Sequence, residues 1–140
     1  MGVFSRIKDI MENKIDAFLD KTEDPEKVIE QNLRDLNRDL GKVKAEMASM
    51  LAEEQRLKRE LNECQEGIEK MERYSIKALD DGNERDVRKF QEKKSAMAAK
   101  LSELQVAHQL ASSKTQQMKP IHDKLAGDIS ELESIKRSDF

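Results

Sequence analysis

The sequence predicts an all-α fold, a long antiparallel two-helix coiled-coil hairpin preceded by a short amphipathic helix, and three observations predict it. The chain is 39% charged, 36% hydrophobic and 4% aromatic, which is too little apolar material for a thick core but enough for a thin helical seam. Only 5 Gly and 2 Pro punctuate its 140 residues, so turns are few and the helices between them must be long. The apolar residues recur at alternating spacings of four and three, the repeat of a coiled-coil stripe.

Two punctuation points divide the chain into an amphipathic segment and linker, residues 1–24, and a hairpin, residues 25–140, with its tip near 80–85. At the first, Glu23-Asp24-Pro25-Glu26, Asp24 can cap exposed backbone N–H groups, Pro25 suits a first helical position and Glu26 complements the helix dipole. At the second, Asp80-Asp81-Gly82-Asn83, Gly82 and Asn83 both tolerate the left-handed backbone that ends a helix, and the acidic residues that follow favour a new start.

Between these points the stripe runs through Ile29, Leu33, Leu36, Leu40, Val43, Met47, Met50, Leu57, Leu61, Cys64, Ile68, Met71 and Ala78, interrupted by Glu54 and Ser75. The returning arm carries a looser version, with Val87, Phe90, Met97, Leu101, Leu104, Ala111, Met118, Leu125, Ile129 and Leu132 on one face and Lys94, His108, Thr115 and His122 filling the remaining steps. Folding the chain about Gly82 and Asn83 makes facing residue numbers sum to roughly 166. Leu61 then lies opposite Leu104, Ile68 opposite Met97 and Ala98, and the off-pattern Lys94 opposite Glu72. Pro25 lies opposite about residue 141, so the arms come level where the chain ends, as in the membrane-binding and hairpin portion of a larger assembly subunit, with each arm about 80 Å long at 1.5 Å per residue. Pro120 falls inside the second arm and predicts a kink, because it removes a backbone hydrogen bond and crowds the preceding turn.

Residues 3–20 form a two-faced helix. At about 100° per residue, Val3, Phe4, Ile7, Ile10, Met11, Ile15, Phe18 and Leu19 share one half. Asp9, Glu12, Asp16 and Asp20 centre the other, Arg6 and Lys8 sit toward the borders, and Lys14 lies within the apolar arc. Long basic side chains can bury their stems against lipid and lift the charge to the headgroups, whereas short carboxylates must point away from an anionic surface. The layout therefore assigns membrane binding to Val3, Phe4, Arg6, Ile7, Lys8, Ile10, Met11, Lys14, Ile15 and Phe18. Full burial of several such side chains yields on the order of 10 kcal/mol gross, while opposite charges nearly cancel, so insertion outweighs electrostatic attraction. Packing on the hairpin or on a neighbouring subunit is the competing use of the same face. Lipidation adds nothing, since myristoylation needs Ser or Thr where Arg6 stands.

Other chemistry is set aside. A formal charge of -3 and the scarcity of aromatic residues argue against nucleic-acid binding. No stretch approaches the roughly 18 apolar residues that span a bilayer, and no secretory signal opens the chain. His108 and His122, fourteen residues apart on one helix or about 21 Å, cannot share a metal ion. Cys64, the single cysteine, falls on the seam with no histidine placed to activate it. A two-helix rod offers the many carboxylates no pocket that raises a pKa and excludes water, and no Gly-rich phosphate loop is present. No cofactor and no enzymatic activity are expected, and the location expected is cytoplasmic.

The opening Met1-Gly2-Val3-Phe4-Ser5-Arg6, the junction Lys21-Thr22-Glu23-Asp24-Pro25-Glu26-Lys27, the stretch Asp39-Leu40-Gly41-Lys42-Val43-Lys44-Ala45-Glu46 and the tip run Lys77-Ala78-Leu79-Asp80-Asp81-Gly82-Asn83-Glu84 closely resemble the phage shock protein A family. That family includes the vesicle-inducing protein of plastids and is related in fold to the ESCRT-III membrane-remodelling proteins; this chain looks most like its Gram-positive branch. The resemblance implies a peripheral protein on the inner face of the cell membrane, which binds stressed anionic phospholipid and assembles with copies of itself in the envelope stress response. It also implies a second function class, a coiled-coil regulator that binds and inhibits a AAA+ transcription activator, so a AAA+ ATPase or other stress-response proteins join the expected partners. A structural coiled-coil spacer is the third. Family members usually continue into further helices past the hairpin, whereas this chain stops at Phe140. The hairpin seam expected to hold the element together is Leu33, Leu36, Leu40, Leu57, Leu61, Ile68, Phe90, Met97, Leu101 and Leu104.

Overall fold

A computed structural model describes residues 24–139. They form two helices, α1 (Pro25–Asp80) and α2 (Glu84–Asp139), packed as an antiparallel hairpin. The start of α1 is built by Asp24, whose side-chain Oδ1 accepts the Lys27 backbone N–H at 3.3 Å and whose carbonyl accepts that of Val28 at 3.2 Å. Pro25 follows at the position where a missing N–H costs no helical bond.

The turn reuses the same economy of backbone groups. Asn83 donates its N–H to the Ala78 carbonyl at 2.9 Å and Gly82 donates to Leu79 at 3.1 Å, the paired bonds of a Schellman stop. Gly82 takes the required left-handed conformation with φ at 74° and is joined in it by no other described residue. The structure thus divides what the sequence suggested for Gly82 and Asn83 jointly. Asn83 keeps negative φ and instead caps α2, its Oδ1 accepting the Asp86 N–H at 3.1 Å while its amide donates to the Asp86 carboxylate at 2.8 Å.

Further along, α2 runs unbroken through Pro120. Both Pro120 and Gln116, whose carbonyl loses its helical donor, are exposed, so water can satisfy the orphaned acceptor.

The described residues belong to two compact units, a turn unit of residues 50–113 and a terminal unit of residues 24–49 and 114–139. In the turn unit, Leu57, Leu61 and Leu104 form the core, with Cys64, Leu101, Ala107 and Ala111 packed on it. Gly67 lets α2 come close: a Cβ there would lie 3.3 Å from the Met97 sulfur. The expected pairing of Lys94 with Glu72 is present as an ion pair, and Gln91 donates to the hydroxyl of buried Ser75 at 2.7 Å. In the terminal unit the core is Ile29, Leu36 and Val43 from α1 with Met118, Leu125, Ile129 and Leu132 from α2, and Lys136 pairs with Glu30 at 3.4 Å.

Truncating Leu61 to Ala should lower unfolding free energy by about 2–3 kcal/mol in urea titrations, whereas Leu110→Ala on the exposed face should stay within about 0.5 kcal/mol. Gly82→Ala should cost about 1–2 kcal/mol through backbone strain alone, since no atom lies within 4 Å of the added Cβ; the same titration reads it.

Candidate functional site

The ten residues assigned to membrane binding, Val3 through Phe18, lie outside the described residues. The hairpin residues are placed as follows. Leu36, Leu57, Leu61 and Leu104 are buried, and Leu33, Leu40, Ile68, Phe90, Met97 and Leu101 are half-buried. A two-helix pair explains the second class, because each seam side chain has a neighbour on one side and water at its edges.

Polar groups inside the hairpin are handled in pairs. The Cys64 thiol donates to the Met97 carbonyl at 3.2 Å, which occupies it in the packing of the two helices. His122 is half-buried with Nδ1 3.0 Å from the Asp123 carboxylate, and His108 is half-buried on the seam. On the outer surface Arg56 bridges Glu53 at 2.5 Å and Glu60 at 2.7 Å. The hydrogen bond from Arg56 holds the Glu53 carboxyl below its ordinary pKa, and the same bond raises that of Arg56. Among the described residues there is no cluster of three His, Cys, Asp or Glu that could hold a metal ion, and no helix is long and apolar enough to cross a membrane.

Two residues that the sequence pattern did not single out are buried carboxylates, Asp39 and Asp128, both in the terminal unit. Each follows a buried seam leucine by three residues, Leu36 and Leu125, and precedes a fully buried seam residue by four, Val43 and Leu132. The usable signal was position rather than residue type: an acidic side chain directly beside the stripe reads as solvated until its flank is known to be covered. Asp128 accepts a hydrogen bond from Lys124 at 2.8 Å, and that bond raises the Lys124 pKa. Ile121 and Ile135, half-buried on the same line as Asp128, were likewise not placed on the seam.

The turn unit has a shallow hollow of about 190 Å³ between the Tyr74 and Phe90 rings and the turn residues Asp81, Asn83 and Asp86. The ring centroids are 5.5 Å apart and the planes are tilted by 54°, an aromatic contact within the favourable distance range that leaves Tyr74 exposed. Elsewhere the outer face of α2 is poor in charge: from Ser95 to Ser113 the acidic and basic residues are Lys100, Glu103 and His108, and Val106 and Leu110 stand 70% and 56% exposed one turn apart.

Replacing Lys124 by Met should destabilise the hairpin by about 1–2 kcal/mol at neutral pH, because buried Asp128 loses a charged donor that water only partly replaces. Because pairing raises the Lys124 pKa, the wild-type advantage should be full below the lysine's ordinary pKa and fade as pH rises through the raised one. Urea unfolding of both proteins across that range checks it.

Residues 2–138 match the PspA/IM30 family, a span that takes in both helices and the segment before them. The chain is 56% identical to the Phage shock protein A homolog of Bacillus subtilis (strain 168) over 97% of its own length and 60% of the relative's. It is 29% identical to the membrane-associated protein Vipp1 of Nostoc punctiforme over 97% of its length and 53% of the relative's, and 31% identical to Vipp1 of Synechocystis over 82% and 42%. The chain therefore spans about half of the length of these curated relatives. With the helical hairpin in place and the match extending over nearly every residue, the chain belongs to the PspA/IM30 family.

Proposed function

We propose that this chain is the membrane-binding and hairpin portion of a peripheral scaffold of the bacterial envelope stress response, acting at the cytoplasmic face of the cell membrane. The observation that carries this reading is the two-faced segment 3–20, with its apolar half bordered by Arg6 and Lys8 and its carboxylates on the far side. Family membership supports it, as do relatives named for phage shock and for membrane association.

Binding proceeds by insertion. The apolar half enters the headgroup boundary of an anionic bilayer, where each fully buried large side chain contributes about 1.5–3 kcal/mol. Arg6, Lys8 and Lys14 extend toward phosphate groups and add ~1 kcal/mol apiece where well placed. Ordering the segment offsets much of the gain, so binding is reversible and favours loosely packed bilayers. The charge-poor outer face of α2 in the turn unit, with Val106 and Leu110 exposed, supports association with further copies. No covalent step is involved.

In co-sedimentation with anionic phospholipid vesicles, the double variant Phe4→Glu, Ile7→Glu should bind at least tenfold more weakly than the wild type, since its lost burial exceeds 1.4 kcal/mol. Equal binding of the two proteins would overturn the proposed function.

A further inference from the structure

The described residues contain two Phe, Tyr or Trp rings, Tyr74 and Phe90, and the fold brings them together beside the turn. They form one wall of the shallow hollow in the turn unit, whose rim carries Lys77, Asp81, Asn83 and Asp86. Packing accounts for Phe90, which is half-buried on the seam. It does not account for Tyr74, which stands beside the stripe with 45% of its surface in water. At about 190 Å³ the hollow is smaller than the roughly 300–1,000 Å³ of pockets that enclose a small molecule. It has room for one side chain.

Charge says of which kind. Two carboxylates against the one ammonium of Lys77 leave the rim net negative. Asp86 is held in place by the Asn83 amide at 2.8 Å. Asp81 is anchored through its backbone N–H, 3.0 Å from the Lys77 carbonyl, and is exposed. The two helix ends at the hollow have opposite signs. The C-terminal carbonyls of α1 favour a cation, and the α2 terminus that would oppose one is capped by Asn83, whose Oδ1 accepts the Asp86 N–H at 3.1 Å.

We propose that the hollow is a docking point for an arginine side chain of a partner protein, with the guanidinium stacked on the Tyr74 ring and bonded to Asp81 and Asp86. A planar guanidinium meets both demands of the site at once, a π-face and a pair of carboxylates, whereas an ammonium is a hydrated point charge with no face to stack. One exposed contact of this kind is weak, so it serves as an anchor within a longer contact and fixes which segment of the partner meets the turn. Lys77 competes for the same carboxylates and tempers the affinity. This docking point is independent of segment 3–20 and of the membrane function proposed above.

Tyr74 is the single tyrosine of a chain without tryptophan, so its fluorescence reports on the hollow directly. The full chain is titrated with the blocked tripeptide acetyl-Gly-Arg-Gly-amide and with its citrulline counterpart, which keeps the shape and loses the charge, while amide chemical shifts locate the contact. The arginine peptide should give a saturable fluorescence change and shifts confined to residues 74–90, and the citrulline peptide should bind about tenfold more weakly. Asp81→Asn should weaken arginine binding about threefold and Lys77→Ala should strengthen it by about as much, both at unchanged helicity, since the two side chains are exposed. Opposite effects at two neighbouring exposed positions distinguish a binding site from a change in folding. Equal binding of the two peptides, or shifts spread over carboxylates along both helices, overturns the proposal. So does a Tyr74 signal that changes with protein concentration in the absence of peptide, which would assign the hollow to a second copy of the chain.

Discussion

A pair of helices has a single stripe on each partner with which to exclude water, and everything else in this hairpin depends on that constraint. With 39% of the residues charged, the apolar side chains cannot be scattered; they must recur every 3.5 residues or the pair has nothing to bury. The stripe through Ile29, Leu36, Val43, Leu57, Leu61 and Ala78 meets this demand on α1. Outside it the surface is free to carry ion pairs such as those of Arg56, which suit a solvated helix but add little to stability.

Burial sets the length of the pairing, but hydrophobic contact is non-directional and would tolerate a shifted register. Polar groups on the seam remove that tolerance. Ser75 with Gln91, Lys94 with Glu72 and Lys136 with Glu30 join residues whose numbers have the same sum, so a slip of one turn would separate each pair and leave Ser75 buried without its donor. The Schellman stop at Gly82 and the cap from Asn83 hold the connection to three residues. Turn and seam thereby specify the same alignment, the consistency that selects one fold from many.

In the terminal unit, burial beside the stripe extends to charged residues. Burying carboxylates such as Asp39 and Asp128 is costly unless donors or cations are near, and Lys124 is such a cation at Asp128.

The sequence by itself determined the hairpin: the 4-3 spacing from Ile29 to Ala78, Asp24-Pro25 as a start and Gly82 as a stop are local signals, set by the helix repeat and by the conformations that Pro and Gly allow. It also pointed to the pairing of Lys94 with Glu72, because a tight turn converts sequence distance into register. Only the tertiary structure decided the separate roles of Gly82 and Asn83, the depth of burial at each seam position, and the fate of Asp39 and Asp128. The physical reason is that periodicity reports which face a residue lies on, whereas exposure depends on what packs against that face from elsewhere in the chain.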